Sequence, residues 1–267
     1  MLSLIIPTLG TREEELHRLL KSIEGQSYDN YELIIVSQDN HEVVDEIISG
    51  VPIKEKCNHV RMNKKGLSIA RNEGMKYVKG DIVTFSDDDC WYPPEAFANI
   101  VERIRREDAG AMCFQIFDPL CEQYYKDYGD REEQIDSIMR LFNVSSIEIF
   151  INLNKIDRKH VSFDERFGVG GIYPSGEENI FLTDLFKKGY QINYVPEIVV
   201  YHKKKSLAQI KMNDNQIIGK GALFRRIFSP PVALILTIAF VLKKNSVIEN
   251  PIKGLFYASI KSLKFKP

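Results

Sequence analysis

Three observations predict an α/β fold with a mixed, mostly parallel sheet and a C-terminal basic helical appendage. Short apolar runs alternate with helical patterns through the first two hundred residues, which is how βαβ units read in sequence. One such run, Asp81-Ile-Val-Thr-Phe-Ser86, leads directly into the acidic triplet Asp87-Asp88-Asp89. Beyond residue 203 the chain turns basic and helical, so the expected organisation is one large domain over 1–202 and an appendage over 203–267.

The elements follow in order. Leu2 to Ile6 reads as the first strand. Thr11-Arg-Glu-Glu14 has the form of a capping box, and Leu16, Leu19, Leu20 and Ile23 recur at helical spacing until Gly25. Tyr31 to Val36 is the second strand, Glu42 to Ile48 a short helix and Val60 to Met62 a brief strand. A helix over about Leu67 to Tyr77 precedes the strand that ends at the acids. Pro93-Pro94 opens a helix in which Phe97, Val101 and Ile104 share a face. Strand-like runs at Ala111 to Phe117 and Val144 to Asn152 flank a polar stretch rich in Tyr and Asp. Gly168, Gly170, Gly171 and Gly176 mark a loop that is either mobile or a set of ordinary turns. A helix from Glu177 to Lys188 and two strands, Gln191 to Val195 and Ile198 to His202, complete the large domain.

At 267 residues, with 44% hydrophobic and 27% charged side chains, the chain buries a full core, which excludes a disordered or fibrous protein. Cys57, Cys90, Cys113 and Cys121 show neither paired metal spacing nor a disulfide framework and read as reduced thiols. MLSLIIPTLG lacks a basic segment and reaches proline early, so it reads as a buried strand rather than a signal peptide. These features point to the cytoplasm.

A net charge of −1 conceals a division: residues 1–202 carry 23 Lys/Arg against 35 Asp/Glu, whereas residues 203–267 carry 13 against 2. So basic a tail calls for an acidic partner, lipid headgroups or nucleic acid. The apolar run Val232 to Leu242, flanked by Arg225-Arg226 and Lys243-Lys244, is too short to span a bilayer and suits a helix in the membrane interface. The alternative is a helix packed on the main domain. The expectation is a peripheral protein at the inner face of an anionic membrane, with no nucleic-acid partner.

Three adjacent carboxylates repel one another, so a fold that gathers them at a strand end calls for a cation. Asp87 and Asp89 project to one side if strand geometry persists, and hard oxygen ligands suit Mg2+ or Mn2+. The alternative is a solvated acidic turn. Open α/β sheets bind ligands outside the carboxyl ends of their strands, where these acids lie.

Leu4-Ile-Ile-Pro-Thr8, Leu19-Leu-Lys-Ser-Ile-Glu-Gly-Gln-Ser-Tyr28, Tyr31-Glu-Leu-Ile-Ile-Val36, Gly66-Leu-Ser-Ile-Ala-Arg-Asn72, Asp81 to Asp89 and Gly176-Glu-Glu178 occur in a fixed order. The ordered set resembles the family 2 glycosyltransferases across residues 1 to about 202. That resemblance implies a single Rossmann-like domain of the glycosyltransferase A fold and an inverting, metal-dependent transfer from a nucleotide-sugar, a UDP-sugar favoured.

It also implies site roles. Pro7 and Thr8 would hold the nucleoside, Arg71 would lie near the diphosphate, and Asp87 would face the ribose, with Asp88 a further donor contact. Asp89 would bind Mn2+ or Mg2+, and His202 would be a further metal ligand or a surface residue. The family's D-D-G-S stands here as Ser37-Gln38-Asp39-Asn40, so base recognition would fall to Gln38, or to Asp39 after a loop shift. Glu178 would be the general base, with Glu177 and Gly171 on the acceptor side. Trp91 and Tyr92 would wall the donor sugar or pack beneath a helix. The basic tail makes a lipid-linked or polysaccharide acceptor the expected substrate.

Two other classes fit less well. A nucleotidyltransferase calls for a glycine- and lysine-rich phosphate loop, which Pro7-Thr-Leu-Gly-Thr-Arg12 is not, and a non-catalytic nucleotide-sugar-binding module would lack the metal site or the base. A Rossmann dehydrogenase is excluded because no G-x-G-x-x-G follows the first strand.

Overall fold

The computed structural model describes residues 1–204 and 212–266, so 205–211 and 267 of the expected appendage lie outside the described residues. The chain forms two compact units: Met1–Lys65, Ile69–Ser162 and Asp184–Lys204 make the first, and Gly66–Ser68, Phe163–Thr183 and Lys205–Pro267 the second. Among the described residues, nine strands form one sheet, ordered β3-β2-β1-β4-β8-β5-β9-β7 with β6 paired to β5.

In the first unit β1 (Leu2–Thr8) lies parallel to β2 (Tyr31–Ser37) and to β4 (Ile82–Phe85), and β2 lies parallel to β3 (Cys57–Arg61). All seven residues of β1 are buried, as expected for a central parallel strand covered on both faces. The strand β8 (Ile149–Asn152) runs antiparallel between β4 and β5 (Ala111–Asp118). The strand β9 (Ile192–Tyr201) is parallel to β5, so the sheet is mixed but mostly parallel. The short strands β6 (Gln123–Tyr124) and β7 (Glu133–Gln134) lie in the polar stretch.

Helix α1 (Glu13–Glu24) buries Leu16, Leu19, Leu20 and Ile23, and α4 (Ala96–Arg106) buries Phe97, Ile100, Val101 and Ile104, each through one apolar stripe. The short α2 (His41–Ser49) follows β2, α3 (Leu67–Met75) follows β3, and α5 (Ile138–Leu141) follows β7.

Three local expectations change. The Thr11 capping box does not form: α1 starts at Glu13 behind Arg12, with no side-chain cap, and three glutamates in its first turn face the helix dipole instead. The run Val144 to Asn152 is strand only from Ile149, because Ser145 and Glu148 close a capping box around a short 3-10 turn. The two expected final strands are one. Pro196 has no N–H for the ladder, and the register against β5 shifts as the pairing moves from Cys113–Tyr194 to Gln115–Ile198.

In the second unit, Phe163 stacks on Phe181 at 4.7 Å and Phe167 packs on Tyr173 at 4.8 Å, with Phe265 against both Phe167 and Tyr173. Helix α6 (Glu177–Lys187) begins in this unit. Helix α7 (Asp214–Ile227) is opened by a capping box of Asn213 and Gln216, and α8 (Pro230–Lys243) and α9 (Pro251–Lys264) each start on proline. The contact between α7 and α9 is close: a Cβ on Gly221 would lie 2.2 Å from the Ala258 carbonyl oxygen. Small residues Ala233, Gly254, Ala258 and Ser262 fill the buried faces. Ile235, Leu242, Ile252, Phe256 and Leu263 are each more than half exposed.

Candidate active site

The residues expected to bind the donor lie in the first unit, where β1, β2 and β4 end side by side. Thr8 closes β1 and its hydroxyl donates to Asp88 Oδ2 at 2.8 Å while accepting from the Gly10 amide at 3.0 Å. Pro7 precedes it, paired with Val36. Gln38, buried, donates its backbone N–H to the Thr8 carbonyl at 2.9 Å. Asp39 is half-exposed and ion-paired with Lys65, a bond that holds its carboxyl below the usual range.

Each member of the acidic triplet has its own partners. Asp87 Oδ1 accepts from Arg71 Nη2 at 2.9 Å, and the same nitrogen reaches Ser146 Oγ at 2.7 Å. Arg71 is wholly buried, so a charged partner matters more than it would at the surface. Asp88 is tied to Thr8 and to Arg12 Nη1 at 3.0 Å; burial raises its carboxyl pKa despite both bonds. Asp89 accepts from Arg12 at 2.6 Å and lies 3.2 Å from His202 Nε2. Burial opposes its charge, but His202 and Arg12 together hold the carboxyl below the usual range, and Asp89 in turn raises His202.

Backbone pairing brings Asp89 to His202. Trp91 and Tyr201 exchange two backbone hydrogen bonds, of 3.0 and 2.7 Å, joining the turn after β4 to the end of β9. Arg18 stacks over the Trp91 ring at 3.9 Å, and Tyr92 is buried edge-on against Phe97. Tyr92 thus packs in the core, while Trp91 is partly buried beneath Arg18.

Asp89 Oδ1 and His202 Nε2 stand 3.2 Å apart, a hydrogen-bond distance, and a carboxylate oxygen and an imidazole nitrogen are donor types that Mn2+ or Mg2+ would take. Among the described residues no group of three or more His, Cys, Asp or Glu side chains converges to hold a metal. The remaining positions would fall to substrate phosphates and water.

The acid pair lies in the second unit. Gly168, at φ +101°, keeps a side chain away from the Ser68 hydroxyl and the Glu177 carboxyl, each under 3.5 Å from where its Cβ would stand. Gly176 at φ +98° admits Leu223 of α7, and Gly171 sits against the Arg166 and Gly168 carbonyls. Glu177 is buried and Glu178 half-buried at the first turn of α6. Desolvation, then the neighbouring Glu177 charge, pushes the Glu178 carboxyl up to about 8 against the attraction of Lys220. The dipole of α6 works the other way and loses. Desolvation lowers Lys220 in turn.

Against this geometry, the sequence profile of Glycosyl transferase family 2 matches residues 3–167. The chain belongs to glycosyl transferase family 2. It is 23% identical over 207 residues to the glycosyltransferase GlyA of Streptococcus pneumoniae, covering 72% of this chain and 29% of that one. An uncharacterized glycosyltransferase of Haemophilus influenzae is 34% identical over 107 residues, 40% of this chain and 35% of that protein. The chain thus spans about a third of each of these two relatives. The putative glycosyltransferase EpsH of Bacillus subtilis is 22% identical, covering 95% of this chain and 72% of its own.

The family fold extends to solved structures. Staphylococcus aureus TarS 1-349 in complex with UDP-GlcNAc superposes with a TM-score of 0.66 at 13% identity, covering 98% of this chain and 88% of that one. The mannosyltransferase PcManGT of Pyrobaculum calidifontis, in complex with GDP-Man and Mn2+, gives 0.59 at 14% identity over 98% and 70%. The fold is that of the glycosyltransferase A class, with a mixed sheet and C-terminal helices.

Three residues of this family member escape a reading of the sequence. Arg12 looks like part of a helix cap, Ser146 lies inside an apparent strand, and Lys220 is one cation among many in the tail. Only Arg12 leaves a trace, as a lone cation in a loop that follows a ligand-binding strand.

Proposed function

We propose that the protein is a metal-dependent inverting glycosyltransferase that moves a sugar from a nucleotide-sugar, a UDP-sugar favoured, to a lipid-linked or polysaccharide acceptor. The observation that carries this reading is the Asp89–His202 pair at the carboxyl end of β4 in a family 2 chain. Mn2+ or Mg2+ held there would act as a Lewis acid on the departing diphosphate. Pro7, Thr8 and Gln38 receive the nucleoside, with Asp39 at the mouth of that loop. Arg71 braces Asp87 toward the ribose, while Asp88 ties the triplet to β1.

Glu178 takes the proton of the acceptor hydroxyl as its oxygen attacks the anomeric carbon. The bond to the diphosphate breaks on the opposite face and its electron pair leaves with the nucleoside diphosphate. A carboxyl raised toward neutrality is a stronger base once ionised, which favours Glu178 for this role. Glu177 supports it electrostatically, and Gly171 lies in the loop offered to the acceptor.

The transfer chemistry belongs to residues 1–202 on this reading, and the appendage serves the membrane. No helix among the described residues is long and apolar enough to cross a bilayer. The exposed apolar positions of α8 and α9 lie beside Lys243, Lys244, Lys253, Lys261 and Lys264, which suits a peripheral contact with an anionic inner membrane face.

The test is release of nucleoside diphosphate from UDP- and GDP-sugars with Mn2+ and with Mg2+. Asp89→Ala and His202→Ala should each abolish the metal response, and Glu178→Gln should stop turnover while nucleotide still binds. Release that survives both chelator and Asp89→Ala would end the metal reading.

A further inference from the structure

Beside the loop after β1 runs a chain of five side chains, all in the first unit. Ser37, the last residue of β2 and fully buried, places its hydroxyl 2.6 Å from His41 Nδ1 and 2.7 Å from His59 Nε2. His59, on β3, has its Nδ1 2.6 Å from Asp45 Oδ1. The other oxygen of Asp45 accepts from the Arg61 guanidinium.

The protons in this chain can be assigned. Asp45, paired with Arg61, acts as an acceptor, so His59 carries its proton on Nδ1. Burial lowers the His59 pKa and favours the neutral ring, leaving its Nε2 bare. Ser37 therefore donates its single proton to His59 Nε2 and has only a lone pair left for His41. That lone pair accepts from His41 Nδ1–H, so the Nε2 of a neutral His41 is a bare acceptor. No hydrogen bond to that nitrogen occurs among the described residues.

The location gives this acceptor a use. The Gln38 amide is bonded to the Thr8 carbonyl and the Asn40 side chain to the Leu9 carbonyl, both at 2.9 Å, so residues 37–41 border the loop after β1. His41 opens α2 at the carboxyl ends of β1, β2 and β3, in the crevice where such sheets take their ligands.

We propose that His41 selects the donor nucleobase, its Nε2 accepting a hydrogen bond from the ring imide N–H of uracil or guanine. Cytosine and adenine carry no proton on the corresponding ring nitrogen and would set two acceptors against each other. A buried acceptor left facing another is the kind of mismatch that discriminates strongly. The inference rests on the nucleotide-sugar reading above and narrows it to donors with an imide base. The relay makes Ser37, His59 and Asp45 positioning residues, which set the tautomer without touching the base.

Two measurements on the full chain test this. In the nucleotide-free protein, 15N NMR of the imidazoles should show His41 as the Nδ1–H tautomer, and Ser37→Ala should mix its tautomers. An Nε2–H tautomer for neutral His41 would overturn the proposal. In calorimetry with Mn2+, UDP or GDP should bind about tenfold or more tighter than CDP and ADP. Methylating the imide nitrogen, N3 of uracil or N1 of guanine, should remove that margin. His41→Phe should weaken UDP or GDP by a similar factor and leave the methylated nucleotide unchanged, a non-additivity that general loosening of the loop would not produce. Equal binding of methylated and unmethylated nucleotide would refute the role of His41 while leaving the donor reading standing. Failure of every nucleotide to bind would refute both.

Discussion

With Glu178 as the proposed base, its raised pKa should limit turnover at neutral pH, and the limit can be worked from the acid pair. With the Glu178 carboxyl pushed up to about 8, about a tenth of it is ionised at pH 7 and about nine-tenths at pH 9. Only the ionised form accepts the acceptor's proton, so kcat/KM should rise with unit slope below pH 8 and gain about tenfold between pH 7 and 9. Desolvation is the larger cause of the shift and the Glu177 charge the next, so Glu177→Gln should move the limb down. Two charges about 6 Å apart at an effective dielectric near 20 interact by about 3 kcal/mol, so removing one is worth at least a pKa unit. One unit takes the ionised fraction at pH 7 from about a tenth to a half, a gain of about fivefold, reduced somewhat because the weaker base is less reactive. Lys220→Met should move the limb the other way, by removing an attraction that favours the charged form.

The assay is steady-state release of nucleoside diphosphate from pH 6 to 9.5, with donor saturating and acceptor varied. A limb near pH 8 that persists in Glu178→Gln, or that stays fixed in both neighbouring variants, would refute the assignment. Stability should move in the opposite sense to activity. Because the folded carboxyl is raised above its unfolded value, the folded state keeps a proton that the unfolded chain releases, and stability is lost as pH rises from about 4.5 toward 8.

Three further outcomes are expected. Glu148, buried, accepts from Lys126 and the Ser145 amide, at 2.6 and 2.8 Å, and from the Tyr128 hydroxyl. Lys126→Met should cost at most about 3 kcal/mol in urea unfolding at pH 7, where the ceiling is the cost of protonating a carboxyl that burial already raises, and clearly less at pH 5. A penalty equal at both pH values would contradict that account. Gly221→Val should destabilise by about 1–3 kcal/mol, visible as a lower thermal midpoint, because its Cβ would collide with the backbone of α9. An unchanged midpoint would mean that the two helices do not pack so closely. Ile235→Glu together with Phe256→Glu should cut binding to anionic vesicles at least tenfold while donor turnover in solution stays normal; unchanged sedimentation with vesicles would remove the membrane contact.

How much of this was legible in the sequence depends on the range over which each interaction acts. Strand β1 and the stripes of α1 and α4 are written in neighbouring residues, so periodicity finds them. The capping box at Thr11 fails because Arg12 answers to Asp88 and Asp89, more than seventy residues away. Lys220 reads as surface charge, yet burial lowers its pKa and the charges of Glu178 and Glu177 act on it, groups more than forty residues away in sequence.

The acidic triplet shows the same limit most sharply. In sequence its members are three equal carboxylates, and local rules predict only that something must neutralise them. In the fold, each is distinguished by what the rest of the chain delivers: a buried arginine to Asp87, a threonine and Arg12 to Asp88, a histidine to Asp89. The last of these depends on the Trp91–Tyr201 pairing, a backbone contact without a side-chain signature. A substitution that broke that pairing would separate Asp89 from His202 without altering either residue, so the proposed metal response should be as sensitive to the end of β9 as to the proposed ligands.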